Sequence, residues 1–171
     1  PGNWNTAQTV TVNAVDDNID EPDGHAGAVS FTFASSDPTY AAATLAPVAV
    51  TITDNDTAGV IVTQTDGGNS VTEAGGTDQL SIRLGTLPSA SVQVTLVPDA
   101  QTTATPTTLT FTTANWDTAQ DVTLGAVQDT IVEGEHTGNV TFSLDSVDPT
   151  YANGTATTPT AQAVTITDDG L

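Results

Sequence analysis

Basic residues are almost missing from this sequence. Its 171 residues include no lysine and one arginine, Arg83, against 21 acidic residues, so the formal net charge is -20 at pH 7. A chain this acidic repels phosphate backbones and anionic lipid surfaces, so we expect neither nucleic acid nor a membrane as a partner. Because one arginine cannot compensate so many carboxylates, we expect divalent cations or a saline medium to neutralise them.

Cysteine is absent as well. This excludes disulfides, thiolate metal sites and a cysteine nucleophile, and it favours another staple for a secreted domain, such as bound metal. No apolar run approaches the roughly 20 residues of a membrane helix, so we expect no membrane insertion of this segment. Aromatic residues make up 5% of the chain, which offers no aromatic cluster of the kind that binds sugars.

An internal repeat is the strongest signal in the sequence. Three segments recur in the same order, at offsets of 112, 111 and 114 residues: Asn3–Gln8 as Asn115–Gln120, Asp37–Ala41 as Asp148–Ala152, and Ala49–Asp54 as Ala163–Asp168. The drift in offset indicates short insertions and deletions in loops. Chance does not produce three ordered matches of this length.

The repeat defines the domain organisation. Residues 57–171 form one complete repeat, whereas residues 1–56 match only its C-terminal half, so the chain holds one and a half repeats. The sequence starts inside a repeat and without an initiating Met. We therefore expect that it is cut from a longer tandem array and that the parent protein contains further repeats.

The complete repeat carries strand patterns throughout. Apolar residues alternate with polar ones in Val92–Leu96, Val140–Leu144 and Val164–Thr167, and a period of two places one face of a strand in the core and the other in water. Strands are predicted near residues 58–63, 70–73, 78–84, 91–97, 108–112, 119–127, 138–147 and 161–167. Short strands at this spacing predict an all-β, immunoglobulin-like antiparallel β-sandwich.

The partial repeat contains only three predicted strands, near residues 8–15, 28–34 and 48–53. We expect residues 1–56 not to fold alone, since a half-sandwich leaves an apolar face and strand edges open. A preceding segment or a neighbouring chain would supply the missing strands. Trp4 and Trp116 each precede a predicted strand, and we interpret them as core or corner aromatics rather than as a platform for sugar.

Acidic residues cluster at predicted strand ends in both repeats. They are Asp16, Asp17, Asp20, Glu21, Asp23, Asp54 and Asp56 in the partial repeat, and Glu73, Asp99, Asp129, Glu133, Glu135, Asp168 and Asp169 in the complete one. Loops at one pole of a sandwich would bring several of these carboxylates together, where they repel one another. Calcium, with about six to eight oxygen ligands, suits such a cluster better than magnesium or zinc. The alternative is a solvated, salt-adapted surface.

The order of three acidic motifs resembles the Calx-beta domain. These are Val71–Gly75 (VTEAG), the stretch from Asp129 to Glu133, and Ile166–Asp169 (ITDD); the junction Ile52–Val60 (ITDNDTAGV) resembles it too. The resemblance covers the whole chain, as half a domain and a complete one. It implies a seven-stranded sandwich that binds calcium at one pole, near the next domain, and tandem copies in large bacterial adhesins and matrix proteins.

The resemblance also implies a set of calcium ligands. By position they are Glu73, Asp99, Asp129, Glu133, Asp168 and Asp169 in the complete repeat, and Asp16, Asp17, Glu21, Asp54 and Asp56 in the partial one. Gln128 stands where the partial repeat has Asp16, and Gly170 where it has Asp56. We therefore expect the complete repeat to bind fewer ions or to bind them more weakly.

The sequence favours a structural function over catalysis. His25 and His136 are repeat equivalents that we interpret as structural, and no nucleophile elbow, Ser–His–Asp order or phosphate loop is present. We expect a calcium-binding repeat of a long extracellular bacterial fibre, adhesin or biofilm matrix protein, in which Ca²⁺ stiffens the junctions with adjacent repeats or neighbouring protomers. The alternatives are an adhesive module that binds a polysaccharide or a partner protein, and a calcium sensor.

Overall fold

The computed structural model describes residues 2–152 and 154–170. The chain divides into two compact units, of which unit 1 comprises Pro1–Asp17 and Glu21–Asp54, and unit 2 comprises Asn18–Asp20 and Asn55–Leu171. The division falls two residues before the predicted boundary at 56/57. It also assigns Asn18–Asp20 to unit 2, where the Ala58 amide donates to Asp20 Oδ2 at 2.7 Å and the Leu87 amide donates to the Asn18 carbonyl at 2.7 Å.

Strands dominate the described residues. In chain order the elements are β1 (His25–Val29), α1 (Pro38–Ala41), β2 (Val48–Ile52), β3 (Val60–Gln64), β4 (Ser70–Thr72), β5 (Asp78–Leu84), β6 (Val92–Pro98), β7 (Thr102–Thr105), β8 (Thr108–Phe111), β9 (Gln120–Ala126), β10 (His136–Ser146) and β11 (Gln162–Thr167). No helix in the described part of the chain is long and apolar enough to cross a membrane.

Unit 2 is a sandwich of two sheets. One sheet has the strand order β4-β11-β10-β6-β8 and the other β3-β5-β9-β7. All neighbouring pairs are antiparallel except β4 and β11, which run parallel. The predicted fold class, an all-β antiparallel β-sandwich, is confirmed.

The core of unit 2 follows from the alternation in the sequence. In β5, β6 and β9, every second side chain is apolar and buried, as in Leu80 and Ile82, Val92 and Val94, and Val122. Burying such side chains stabilises the fold by roughly 1.5–3 kcal/mol each. The polar residues between them lie on the opposite face of each strand. A shift of one residue in the pairing register would expose the apolar side chains and bury the polar ones, so the alternation fixes the register.

Tyr151 anchors the loop between β5 and β6. Its side chain is fully buried, and its hydroxyl donates to the Thr86 carbonyl at 2.9 Å and accepts from the Thr86 amide at 3.0 Å. The repeat-equivalent Tyr40 is 64% exposed. The same residue type is therefore structural in one unit and solvated in the other.

Tyr151→Phe is expected to lower the free energy of unfolding of unit 2 by about 1–3 kcal/mol, because it leaves buried polar groups of Thr86 without a partner. Chemical denaturation followed by Trp116 fluorescence measures this change. Tyr40→Phe is the matched control and is expected to have no effect. Equal effects of the two substitutions would contradict the assignment.

The strand predictions for the complete repeat agree with the structure to within about two residues, but β7 was missed. In β7, Thr102 and Ala104 point inwards while Thr103 and Thr105 are exposed. The period of two is present. It is carried by threonine and alanine alone, so no large apolar side chain marks it in the sequence.

The predictions for the partial repeat were less accurate. Residues 8–15 are not a strand, and the strand expected near 28–34 is β1 at His25–Val29. In unit 2, the equivalent β9 is held between β5 and β7, whereas unit 1 has no counterpart of those strands among the described residues. Val10, the repeat equivalent of the buried Val122, is 77% exposed. A strand pattern alone does not form a strand without neighbours to pair with.

The two tryptophans also differ. Trp116 is half-buried and packs against the core, as predicted. Trp4 is 83% exposed, so its interpretation as a core aromatic was wrong. The reason is the same as for Val10, since the sheet that Trp4 would cover has no second layer in unit 1.

Candidate metal centre

Glu73 is the central side chain of an acidic cluster at one pole of unit 2. It follows β4, the short strand that pairs in parallel with β11 in a register that joins Thr72 to Thr167. The Glu73 amide donates to the Thr167 carbonyl at 3.0 Å. This parallel pairing places Glu73 next to Asp168 and Asp169, which follow β11.

Glu73 is buried without compensation from protein donors. Its side chain is 5% exposed, and neither carboxylate oxygen has a hydrogen-bond partner within the described part of the chain. Buried polar groups are nearly always hydrogen-bonded, and buried charges are paired or bind metals. A buried carboxylate with two open oxygens therefore indicates a site for a cation.

Two groups of ligand atoms converge on Glu73. One contains Glu73, Asp168 and Asp169, and the other contains Glu73, Glu133 and His136. Within each group, the ligand atoms all lie within 4.8 Å of one another. The geometry brings together four of the six residues predicted in the complete repeat, and these residues could hold a metal ion.

The loop between β9 and β10 is fastened to Asp168. The amides of Glu133 and Gly134 donate to Asp168 Oδ2 at 2.8 and 2.9 Å, and the Gly170 amide donates to Oδ1 at 2.8 Å. Gly134 has φ 72°, a left-handed conformation that glycine adopts without strain. These hydrogen bonds lower the pKa of Asp168, and those from Gly134 and Gly170 have the largest effect. This carboxylate therefore stays charged at neutral pH.

The opposite holds for Glu73. Burial raises its pKa above the ordinary value of 4.5, and the nearby charges of Asp168, Asp129 and Asp169 raise it further, while His136 lowers it. Without a bound cation this carboxylate resists ionisation, because ionisation places a further charge in a buried and acidic pocket. A divalent cation reverses that cost.

His136 completes the second group. Its Nδ1 lies 2.9 Å from the Gly134 carbonyl oxygen, and its Nε2 lies 3.5 Å from Glu133 Oε2. The hydrogen bond to Gly134 and the charges of Glu133, Glu73 and Asp168 raise its pKa, against the effect of burial. On sequence alone, we interpret His136 as structural, and the predicted ligand set does not contain it. Its recurrence in both repeats next to an acidic loop was the signal that could have identified it.

The remaining predicted residues of the complete repeat lie outside the two groups. Asp129 is close enough to influence Glu73, but its Oδ1 accepts from the Ile131 amide at 2.7 Å and thereby shapes the loop. Asp99 accepts from the amides of Asn139 and Gln101 and from the Thr102 hydroxyl. Burial works against ionisation of Asp99, but these hydrogen bonds prevail and lower its pKa. Asp99 therefore organises the turn between β6 and β7.

Unit 1 repeats part of this arrangement. The Glu21 amide donates to Asp54 Oδ2 at 2.9 Å, as Glu133 does to Asp168, and Glu21 Oε2 lies 3.2 Å from His25 Nε2. The register of β1 and β2, with His25 opposite Ile52, is that of β10 and β11, with His136 opposite Ile166. The internal repeat therefore extends from sequence to atomic contacts.

The described residues of unit 1 contain no group of three ligands in reach of one ion. Asp16 and Asp17 are exposed, Asp54 binds the Glu21 amide, and Asp56 belongs to unit 2, where it is half-buried outside both groups. The ligand set expected in the partial repeat is therefore not assembled as it is around Glu73. A counterpart of Glu73 would have to come from the first half of a repeat, which residues 1–54 do not contain.

Ionisation of Glu73 is expected to destabilise unit 2 as the pH rises, when no cation is bound. Because the folded-state pKa of Glu73 is raised, its contribution to stability is fully present below pH 4.5 and is lost as the pH passes the raised value. Glu73→Gln removes this loss, so in calcium-free buffer the variant should melt at a higher temperature than the parent at pH 7 but not near pH 4. Glu135→Gln, an exposed glutamate of the same loop, is the control. Parallel pH profiles for Glu73→Gln and the parent would refute the assignment.

The fold and the cluster together define a β-sandwich with an acidic pole. Among solved structures, the chain is similar to a crystal structure of the apo form of the Calx CBD1 domain, at 16% identity and a TM-score of 0.43. The similarity covers 64% of this chain and 97% of that one. No family model matches the sequence, and the search of curated proteins finds no match.

Proposed function

We propose that this chain is a calcium-binding structural repeat, and that Ca²⁺ binds among Glu73, Asp168 and Asp169. The observation that carries the proposal is the buried Glu73 carboxylate, whose two oxygens have no donor in the described residues and face two further carboxylates. Calcium accepts such all-oxygen sites and tolerates irregular geometry. Water and the carbonyls of the loop would complete its coordination.

A role in an extracellular fibre, adhesin or biofilm matrix is the larger context of this proposal. It is supported by three features that recur in the two units of this chain. They are the antiparallel pair β1–β2 or β10–β11, the hydrogen bond from a Glu amide to an Asp carboxylate, and the contact between a His and a Glu side chain. Calcium would stiffen the array by fixing the acidic loops that otherwise repel one another.

An adhesive module is the second candidate. An open cleft of 650 Å³ in unit 2 is lined by polar groups that include Asp66, Asn69, Ser70 and Asp78. Hydroxyl, amide and carboxylate groups of this kind suit a polyol or polysaccharide. Binding of a polysaccharide that persists in Glu73→Gln would favour this function over a purely structural one.

The test of calcium binding is thermal unfolding of the intact chain in calcium, in magnesium and after removal of divalent ions. Calcium is expected to stabilise unit 2 much more than magnesium at the same concentration, because magnesium retains its water and requires a stricter geometry. An unchanged melting curve in calcium would refute the proposal.

A further inference from the structure

The imidazole of His136 adds a nitrogen ligand that a calcium site does not use. Its Nδ1 lies 2.9 Å from the carbonyl oxygen of Gly134. A carbonyl only accepts hydrogen bonds, so Nδ1 carries the proton in this contact. The neutral ring then presents the lone pair of Nε2.

That Nε2 atom faces other acceptors. It is buried and makes no hydrogen bond to any residue that the structure describes, although Glu133 Oε2 is 3.5 Å away. One ligand atom each from Glu73, Glu133 and His136 lies within 4.8 Å of the others. Two carboxylates and a nitrogen lone pair therefore converge. The Gln101 Nε2 donates to the Glu133 carboxylate at 3.2 and 3.3 Å, whereas the Glu73 oxygens and His136 Nε2 have no donor among the described residues.

A proton or a metal ion could reduce the repulsion among these acceptor groups. A proton on Nε2 would make an ion pair with Glu133, but the oxygens of Glu73 would still lack a donor in the described part of the molecule. A metal ion satisfies all three groups. At metal–ligand distances of about 2.0–2.1 Å, two ligands of a tetrahedral ion lie roughly 3.3–3.4 Å apart, close to the 3.5 Å between Nε2 and Glu133.

We propose that Glu73, Glu133 and His136 form a second cation site, which prefers a nitrogen-binding divalent metal of the Zn²⁺ class to Ca²⁺. Imidazole suits zinc and its first-row neighbours, whereas calcium takes oxygen ligands. The contact from Nδ1 to Gly134 is the outer-shell hydrogen bond that orients a metal-binding histidine. Asp168 fixes this carbonyl in turn, since it binds the amides of Glu133 and Gly134.

This site shares Glu73 with the calcium group but does not depend on calcium binding. Its distinguishing ligand is His136, which is absent from the group of Glu73, Asp168 and Asp169. The natural comparison is His25, which forms the same pair with Glu21 at 3.2 Å. No third ligand completes that pair among the described residues of unit 1.

The experiment is titration of the intact chain with Co²⁺, a coloured substitute for Zn²⁺, followed by competition with Zn²⁺. We expect visible absorption bands that report nitrogen ligation and that Zn²⁺ abolishes, both in the absence and in the presence of calcium. His136→Asn should weaken binding by about 100-fold or more, since even the loss of an outer-shell partner costs roughly 10–100-fold. His25→Asn should retain the bands.

The folding of His136→Asn is checked separately by its calcium-dependent melting, which should match that of the parent. Equal Co²⁺ affinity in His136→Asn and the parent would overturn the proposal, as would bands that His25→Asn removes. Loss of the calcium effect together with persistent Co²⁺ bands would refute the calcium site alone. The two proposals therefore fail in different ways.

Discussion

Millimolar calcium should raise the melting temperature of unit 2 by about 10 °C relative to calcium-free buffer. A ligand that binds only the native state adds RT ln(1 + [L]/Kd), or about 2.7 kcal/mol at a hundredfold excess over Kd. For a unit of this size, each kcal/mol shifts the melting temperature by several degrees. The effect is large because the ion adds positive charge to three converging carboxylates, of which Glu73 is buried without a donor in the described residues.

Asp168→Asn should remove most of this calcium effect. The substitution takes one charge from the cluster and also turns an amide group towards the backbone N–H groups that Asp168 now accepts from. Glu73→Gln should remove the effect as well, while raising stability in calcium-free buffer at neutral pH. Asp66→Asn is the control, because Asp66 is exposed and lies outside both ligand groups. Calcium shifts of equal size in Asp168→Asn and Asp66→Asn would exclude the proposed site.

Much of the fold of unit 2 could be predicted because its strands alternate strictly. Leu80, Ile82 and Leu84 stand at every second position of β5, and all three are fully buried. The partner of β4 could not be predicted, since three residues, Ser70–Thr72, carry too little pattern to specify a neighbour. That parallel pairing with β11 is what places Glu73 beside Asp168. The sequence therefore predicted the acidic members of the cluster without His136 and without the contact that assembles it.

Asp99 differs from Glu73 in the partners of its carboxylate. It occurs at a strand end, like the other acids, and the resemblance to the Calx-beta domain implies that it is a ligand. In the structure both of its oxygens accept from protein donors, among them the Asn139 amide at 2.7 Å. Glu73 differs because its oxygens have no donor in the described residues. The difference depends on local backbone geometry, which charge clustering in a sequence does not report.

The amides of residues 9–15 in unit 1 should exchange with solvent about a thousandfold or more faster than those of the repeat-equivalent β9 in unit 2. No backbone hydrogen bond joins residues 9–15 to another element within the described chain, whereas the repeat-equivalent β9 is paired on both sides. Amides open with free energies from near zero up to the global value of about 5–15 kcal/mol. We therefore expect nearly unprotected exchange for residues 9–15 and slow exchange for β9.

The hairpin of unit 1 should fall between these limits. β1 and β2 pair with each other in the register of β10 and β11, but β10 also pairs with β6, and β1 has no such second neighbour among the described residues. Two-stranded hairpins are marginally stable in water. Hydrogen–deuterium exchange of the intact chain, resolved to peptides, measures the protection of each segment. Each segment is compared with its repeat equivalent, which has a similar sequence. Equal protection of residues 9–15 and β9 would refute the prediction, because it would require the amides of residues 9–15 to be hydrogen-bonded in solution.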